Sequence, residues 1–168
     1  MKLIDVPHAR KVVSPHHRKV HLRGDPVEVA ALLLRLASIG LLSADGWVHL
    51  HLWQDGYRQI PTIGPLFLVG AVSALVVAAG LLVRPSRLIG ALGTGVVLGI
   101  LAGLVASVNL GLFGFKESLS APFAGESIVL EIVAAVTLVA WVALDFMKET
   151  RRTEQAVRSI AVTPSRIG

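Results

Sequence analysis

Four stretches of mostly apolar residues, each about as long as a bilayer is thick, constrain this chain more than any other feature. A helix rises 1.5 Å per residue and a bilayer core is roughly 30 Å deep, so about 20 consecutive apolar residues cross it. The stretches run from Val27 to about Trp53, from Gly64 to Val83, from Leu88 to about Leu110 and from Ser127 to Phe146. In hydrocarbon every backbone amide must be satisfied within the protein, so each stretch reads as a helix. The expected fold class is all-α: a polytopic membrane protein with a four-transmembrane-helix bundle. Composition agrees, with 54% hydrophobic and 16% charged residues among 168 and a mean hydropathy of +0.70.

The rest of the chain divides around this unit. Residues 1–25 read as a basic tail, 26–147 as the membrane domain and 148–168 as a helical extension and tail. Asp25 suits a helix cap, Pro26 the first helical position, and Glu28 completes a capping-box spacing at the start of the first span. No small-residue cleavage site follows this first apolar run, so it is expected to stay as an anchor. The chain has no cysteine. Disulfides, thiolate metal sites, iron–sulfur clusters, covalent haem and cysteine nucleophiles are thereby excluded.

Lysine and arginine fix the expected orientation. Six fall in the first 23 positions, two between spans two and three, and five from Lys148 onward, whereas only Arg58 and Lys116 lie in the other two loops. The positive-inside bias therefore puts both termini and the middle turn in the cytoplasm, in a multi-pass protein of the cell membrane. The net charge of +5 reflects these flanking residues and does not point to nucleic acid. Expected partners are the lipid bilayer and other membrane subunits or further copies of the chain.

Arg35 lies inside the first span, where insertion scales set a cost of about 2.5–3.5 kcal/mol for a central arginine. Seven leucines between Leu32 and Leu50 offset it, and the side chain can snorkel toward headgroups. The alternative is a structural ion pair of Arg35 with Glu28, two turns earlier, or with Asp145 at the end of span four. Span three carries Ala91, Gly95, Gly99, Gly103, Ser107 and Gly111 at intervals of four. Small residues let helix backbones approach in lipid. Gly95, Gly99, Gly103 and Ser107 are therefore expected to pack helices, against Gly70, Ala74 and Ala78 of span two or against a second copy.

Chemistry-bearing residues gather at the outer end of span one, in Asp45-Gly46-Trp47-Val48-His49-Leu50-His51-Leu52-Trp53-Gln54-Asp55-Gly56-Tyr57. As a helix this segment stacks Asp45, His49 and Trp53; as a strand it puts Trp47, His49, His51 and Trp53 on one face. Glu126 and Glu131 at the start of span four, and Asn109 at the end of span three, reach the same level. His49, His51, Asp45, Glu126 and Glu131 could hold a divalent metal such as Zn, Cu or Fe, or accept protons from a quinol. The bland reading is an interfacial polar collar. Haem is not expected from this chain alone, because all histidines outside the N-terminal tail lie on one segment. His16, His17 and His21, beside Arg18, Lys19 and Arg23, suit a basic segment on anionic lipid.

Leu34-Arg35-Leu36 early in span one, a glycine and histidine at its outer end, and four short spans rich in Gly, Ala and Leu make the chain resemble DoxX-like membrane proteins. The resemblance covers Val27 to Phe146 in layout. It implies a four-helix component of redox systems, sometimes linked to quinones, with Arg35 and His49 as positions of interest. The sequence leads to an accessory or binding subunit of a larger membrane assembly with no assigned catalytic residue. A DoxX-like quinone- or metal-linked redox protein is the first alternative, and a small transporter the second.

Overall fold

The computed structural model describes residues 25–162, so the histidine cluster at 16–21 lies outside the described residues. Four α-helices follow in order: α1 Pro26–Gln54, α2 Ile63–Val83, α3 Arg87–Asn109 and α4 Ala124–Val162, with one 3-10 turn at Tyr57–Gln59. All four are long and apolar enough to cross a membrane. The described residues contain no β-sheet, only an isolated bridge between Leu112 and Phe115. Their outward faces are apolar, with Leu33, Val69, Val76, Val136 and Leu88 among the exposed side chains.

Helix starts follow local chemistry. The Asp25 carboxylate accepts a hydrogen bond from the Val27 amide at 3.0 Å, and Pro26 follows it where no amide is needed. Ser86 caps α3 by accepting from the Ile89 amide at 3.3 Å, just after Pro85 has stopped α2 from continuing. The segment 45–53 is helical, which settles the choice between helix and strand at the outer end of span one. Helix α4 runs on through the charged residues after Phe146 as far as Val162.

Leu42, Ala74, Leu81, Val97, Ala134, Leu138 and Trp141 fill the middle of the bundle. The seams are tight where glycines face large side chains. A Cβ at Gly90 would stand 2.6 Å from Trp141 Cζ3 and 2.7 Å from Val142 Cγ2, and one at Gly93 would stand 2.9 Å from Val77 Cγ1. These contacts join α3 to α4 and to α2 near the end of the bundle that carries the α2–α3 turn.

The expected packing stripe lies elsewhere. A Cβ on Gly95, Gly99 or Gly103 would meet nothing within 4 Å, so these three glycines make no intrachain helix contact, and only Ser107 of the four is buried. The reason is rotation. At about 100° per residue, steps of four advance about 40° each, so Ala91 to Ser107 winds about 160° around α3. Gly90, Gly93 and Val97 alternate steps of three and four, stay within about 60°, and form the seam.

Arg35 makes neither of the two ion pairs that stood as the alternative to snorkelling. Its Nε donates to the Leu81 carbonyl at 2.9 Å and its Nη2 to the Leu82 carbonyl at 2.8 Å. Glu28 instead faces Arg152 at 3.6 Å, and Asp145 faces Arg87 at 3.6 Å, with Glu149 bonded to the same arginine. The last carbonyls of α2 have no amide partner within their helix and sit at the negative end of its dipole. They accept the Arg35 guanidinium, while Glu28 and Asp145 face other arginines.

Candidate functional site at the loop end of the bundle

Because α1 stays helical past residue 45, Asp45 and His49 stack one turn apart on its inner face. The His49 Nδ1 lies 3.0 Å from the Asp45 carbonyl oxygen and 3.3 Å from its Oδ1. With its proton on Nδ1 the ring donates to the carbonyl, and neither carboxylate oxygen of Asp45 receives a hydrogen bond. Gly70 of α2 admits the ring, since a Cβ there would stand 3.2 Å from His49 Cδ2.

Glu131 of α4 completes the cluster from the opposite side. One ligand-capable atom from each of Asp45, His49 and Glu131 lies within 4.8 Å of the other two. Asp45 and Glu131 have no exposed surface, and His49 is 8% exposed. Four carboxylate oxygens here, both of Asp45 and both of Glu131, have no hydrogen-bond partner. Buried unsatisfied polar groups cost about 1–3 kcal/mol each, and charged ones more, so this cluster is an expensive thing to build inside apolar helices.

The other two expected ligands are not brought in. His51 is two residues past His49 and so points to the far side of α1, where its Nε2 lies 3.2 Å from Asp55 Oδ2 and its ring stacks on Trp47 at 5.0 Å. Glu126 is exposed in the first turn of α4, five residues and about 140° around the helix from Glu131. Asn109 is also exposed and donates to the Val105 carbonyl at 2.7 Å.

A cavity of about 370 Å³ opens beside the cluster, between α2 and α3. Its wall is mostly apolar, including Phe67, Val69, Ile100 and Leu104. Gly95, Gly99 and Gly103 line it, and His49 and Glu131 reach it from α1 and α4. The three glycines, which meet no other helix of the chain, therefore make room for this space.

A second polar pair stands at the cavity mouth. The Tyr57 hydroxyl donates to Glu117 Oε2 at 2.7 Å, and the Tyr57 ring packs on Phe67 at 4.4 Å and Phe115 at 5.9 Å. Burial, together with the adjacent carboxylate, pushes the Tyr57 hydroxyl well above its ordinary pKa. Glu117 is held in place by its amide, which donates to the Ser107 hydroxyl at 3.3 Å. Sequence reading did not join Tyr57 to Glu117 across 60 residues. The available signal was that both sit in loops expected at one membrane face.

No family model, curated protein or solved structure matches the chain.

Proposed function

We propose that this chain is a multi-pass membrane protein, with both termini in the cytoplasm, that acts as a binding subunit for a lipid-soluble ligand carrying a polar, proton-exchanging head group. The observation that carries this reading is the cavity itself: apolar walls from α2 and α3, with His49 and Glu131 at its buried side and Tyr57–Glu117 at its mouth. Pockets for small amphiphiles combine an apolar lining with a few convergent polar groups. A quinol suits this one, because its ring and tail are apolar and its hydroxyls need acceptors such as imidazole or carboxylate. The resemblance to DoxX-like proteins, carried by Leu34-Arg35-Leu36 and the four-span layout, would imply such a redox-linked role.

The test uses a decyl-benzoquinol bearing a photoreactive diazirine on purified protein in nanodiscs. Cross-links are expected on the Gly95–Ser107 side of α3 and on Phe67, reduced by excess untagged quinol and by Gly99→Phe. Labelling confined to the outward leucine and valine faces, with no competition, would remove the proposal. As an accessory subunit the protein should also leave the membrane with a stoichiometric partner in mild detergent. A solitary monomer under several gentle conditions counts against that part.

A further inference from the structure

We propose that Asp45, His49 and Glu131 form a binding site for one divalent transition-metal ion, with an open coordination position on the cavity side. The first support is that these side chains come from two different helices yet bring ligand-capable atoms within 4.8 Å of one another. Metal–nitrogen and metal–oxygen bonds of about 2.0–2.2 Å put neighbouring ligands roughly 3.3–3.5 Å apart around a tetrahedral ion. The His49 Nδ1 and Asp45 Oδ1 already stand at 3.3 Å. A carboxylate oxygen of Glu131 lies within 4.8 Å of a ligand-capable atom of each of the other two residues, so rotations about its side-chain bonds bring it to the ion.

The second support is independent of that spacing. Both oxygens of Asp45 and both of Glu131 are fully buried and accept no hydrogen bond, and among the described residues no other buried side-chain nitrogen or oxygen lacks a partner. Arg35, a charged group within the first span, has two carbonyl acceptors supplied by the chain. For the two carboxylates the described residues supply only the His49 ring, 3.3 Å from Asp45 Oδ1, and no hydrogen bond that meets normal geometry. A divalent ion matches two carboxylates and a neutral imidazole in charge, which a low-dielectric site favours.

Donor chemistry narrows the ion. One imidazole and two carboxylates suit Zn(II), Fe(II), Mn(II) or Co(II), whereas copper(I) favours sulfur and calcium needs six to eight oxygens. Three protein ligands with a vacant position is the pattern of sites that bind a water or substrate in the fourth place. When Nδ1 binds the ion, its proton moves to Nε2, the ring edge turned toward Gly70 of α2. This assignment goes beyond the lipid-ligand reading and does not depend on it.

The test titrates untagged, full-length, detergent-solubilised protein with Zn(II), and with Co(II) as a spectroscopic probe, with no quinol present. One equivalent should bind, with a visible cobalt band of low-symmetry character. Asp45→Asn, His49→Ala and Glu131→Gln should each weaken affinity by at least about tenfold, the lower end of what far milder changes around metal ligands cause. His51→Ala, and a full-length variant with His8, His16, His17 and His21 changed to Asn, should bind as the parent does. Loss of binding in those controls, or unchanged binding in the three ligand variants, overturns the site.

X-ray absorption on the zinc-loaded parent gives a readout that no misfolded variant can confuse. A shell of nitrogen and oxygen donors with one imidazole is expected. Two or more imidazoles, or no tight equivalent at all, would refute the proposal. Because metal alone is added, failure here leaves the quinol cross-linking result standing, and failure of the cross-linking leaves this one standing.

Discussion

The two glycine sets on α3 make opposite demands on a methyl group. Gly90→Ala places a Cβ 2.6 Å from a Trp141 ring carbon that is itself held in the core, so a ring or a helix must shift. Overpacking of this kind costs about 1–3 kcal/mol. Gly99→Ala meets nothing within 4 Å. Both changes gain the same helix propensity, about 0.8–1.0 kcal/mol for glycine to alanine.

The difference between the two variants therefore cancels propensity and isolates the clash. Gly99→Ala should be as stable as the parent or up to about 1 kcal/mol more stable. Gly90→Ala should fall below Gly99→Ala by about 1–3 kcal/mol, with Gly93→Ala, whose Cβ meets Val77 Cγ1 at 2.9 Å, between them. Reversible unfolding in mixed micelles, followed by Trp fluorescence, measures all three. Equal loss at Gly90 and Gly99, or the reverse order, would mean that α3 presents its small-residue stripe to another helix and that the seam is misassigned.

Arg35→Met keeps the aliphatic stem but strips two donors from the Leu81 and Leu82 carbonyls, so it should cost up to about 1.5–3 kcal/mol in the same assay, while Glu28→Gln and Asp145→Asn stay within about 0.5 kcal/mol. Tyr57 is the one tyrosine, so absorbance at 295 nm reports it alone. Its folded pKa is raised, which stabilises the fold below the ordinary value of about 10 and loses that contribution as pH rises further. Tyrosinate should be absent in folded protein at pH 10, appear near pH 10 after denaturation, and appear earlier in Glu117→Gln than in the parent; a normal titration in the folded parent would contradict the buried bond. Since the chain has no native cysteine, single cysteines at Gln59 and Ser118 should react with an impermeant maleimide on intact cells, and one at Ser86 should not. The inverse pattern would turn the proposed orientation over.

The four helices were legible because apolar length and Pro or Gly punctuation act locally, along one strand of sequence. Asp25, Pro26 and Ser86 announce helix starts through bonds that close within three residues. Asp45 with His49 was legible for the same reason, being one helical turn apart. What sequence left open was rotation of one helix against another. Nothing local tells that α3 turns Gly90 rather than Gly95 to its neighbours, or that α1 and α4 turn Asp45, His49 and Glu131 inward; once they do, helix periodicity sends His51 and Glu126 away. Arg35 shows the same limit: its partners are backbone carbonyls 46 and 47 residues away, which no charge pattern can mark.

That contrast bears on where function resides. A helix bundle in lipid gains from close packing and from bonding every polar group. At the end with the α2–α3 turn this chain does both, with Gly90 against Trp141 and Arg35 on the last carbonyls of α2. Toward the opposite end both rules are broken in one place: three glycines leave space unfilled, and two buried carboxylates accept no hydrogen bond. Filling the space with leucine and replacing the acids with apolar residues would remove both costs without altering any helix. Empty volume and buried carboxylates thus stand side by side at that end, which is why the proposed lipid ligand and the proposed metal ion are both placed there.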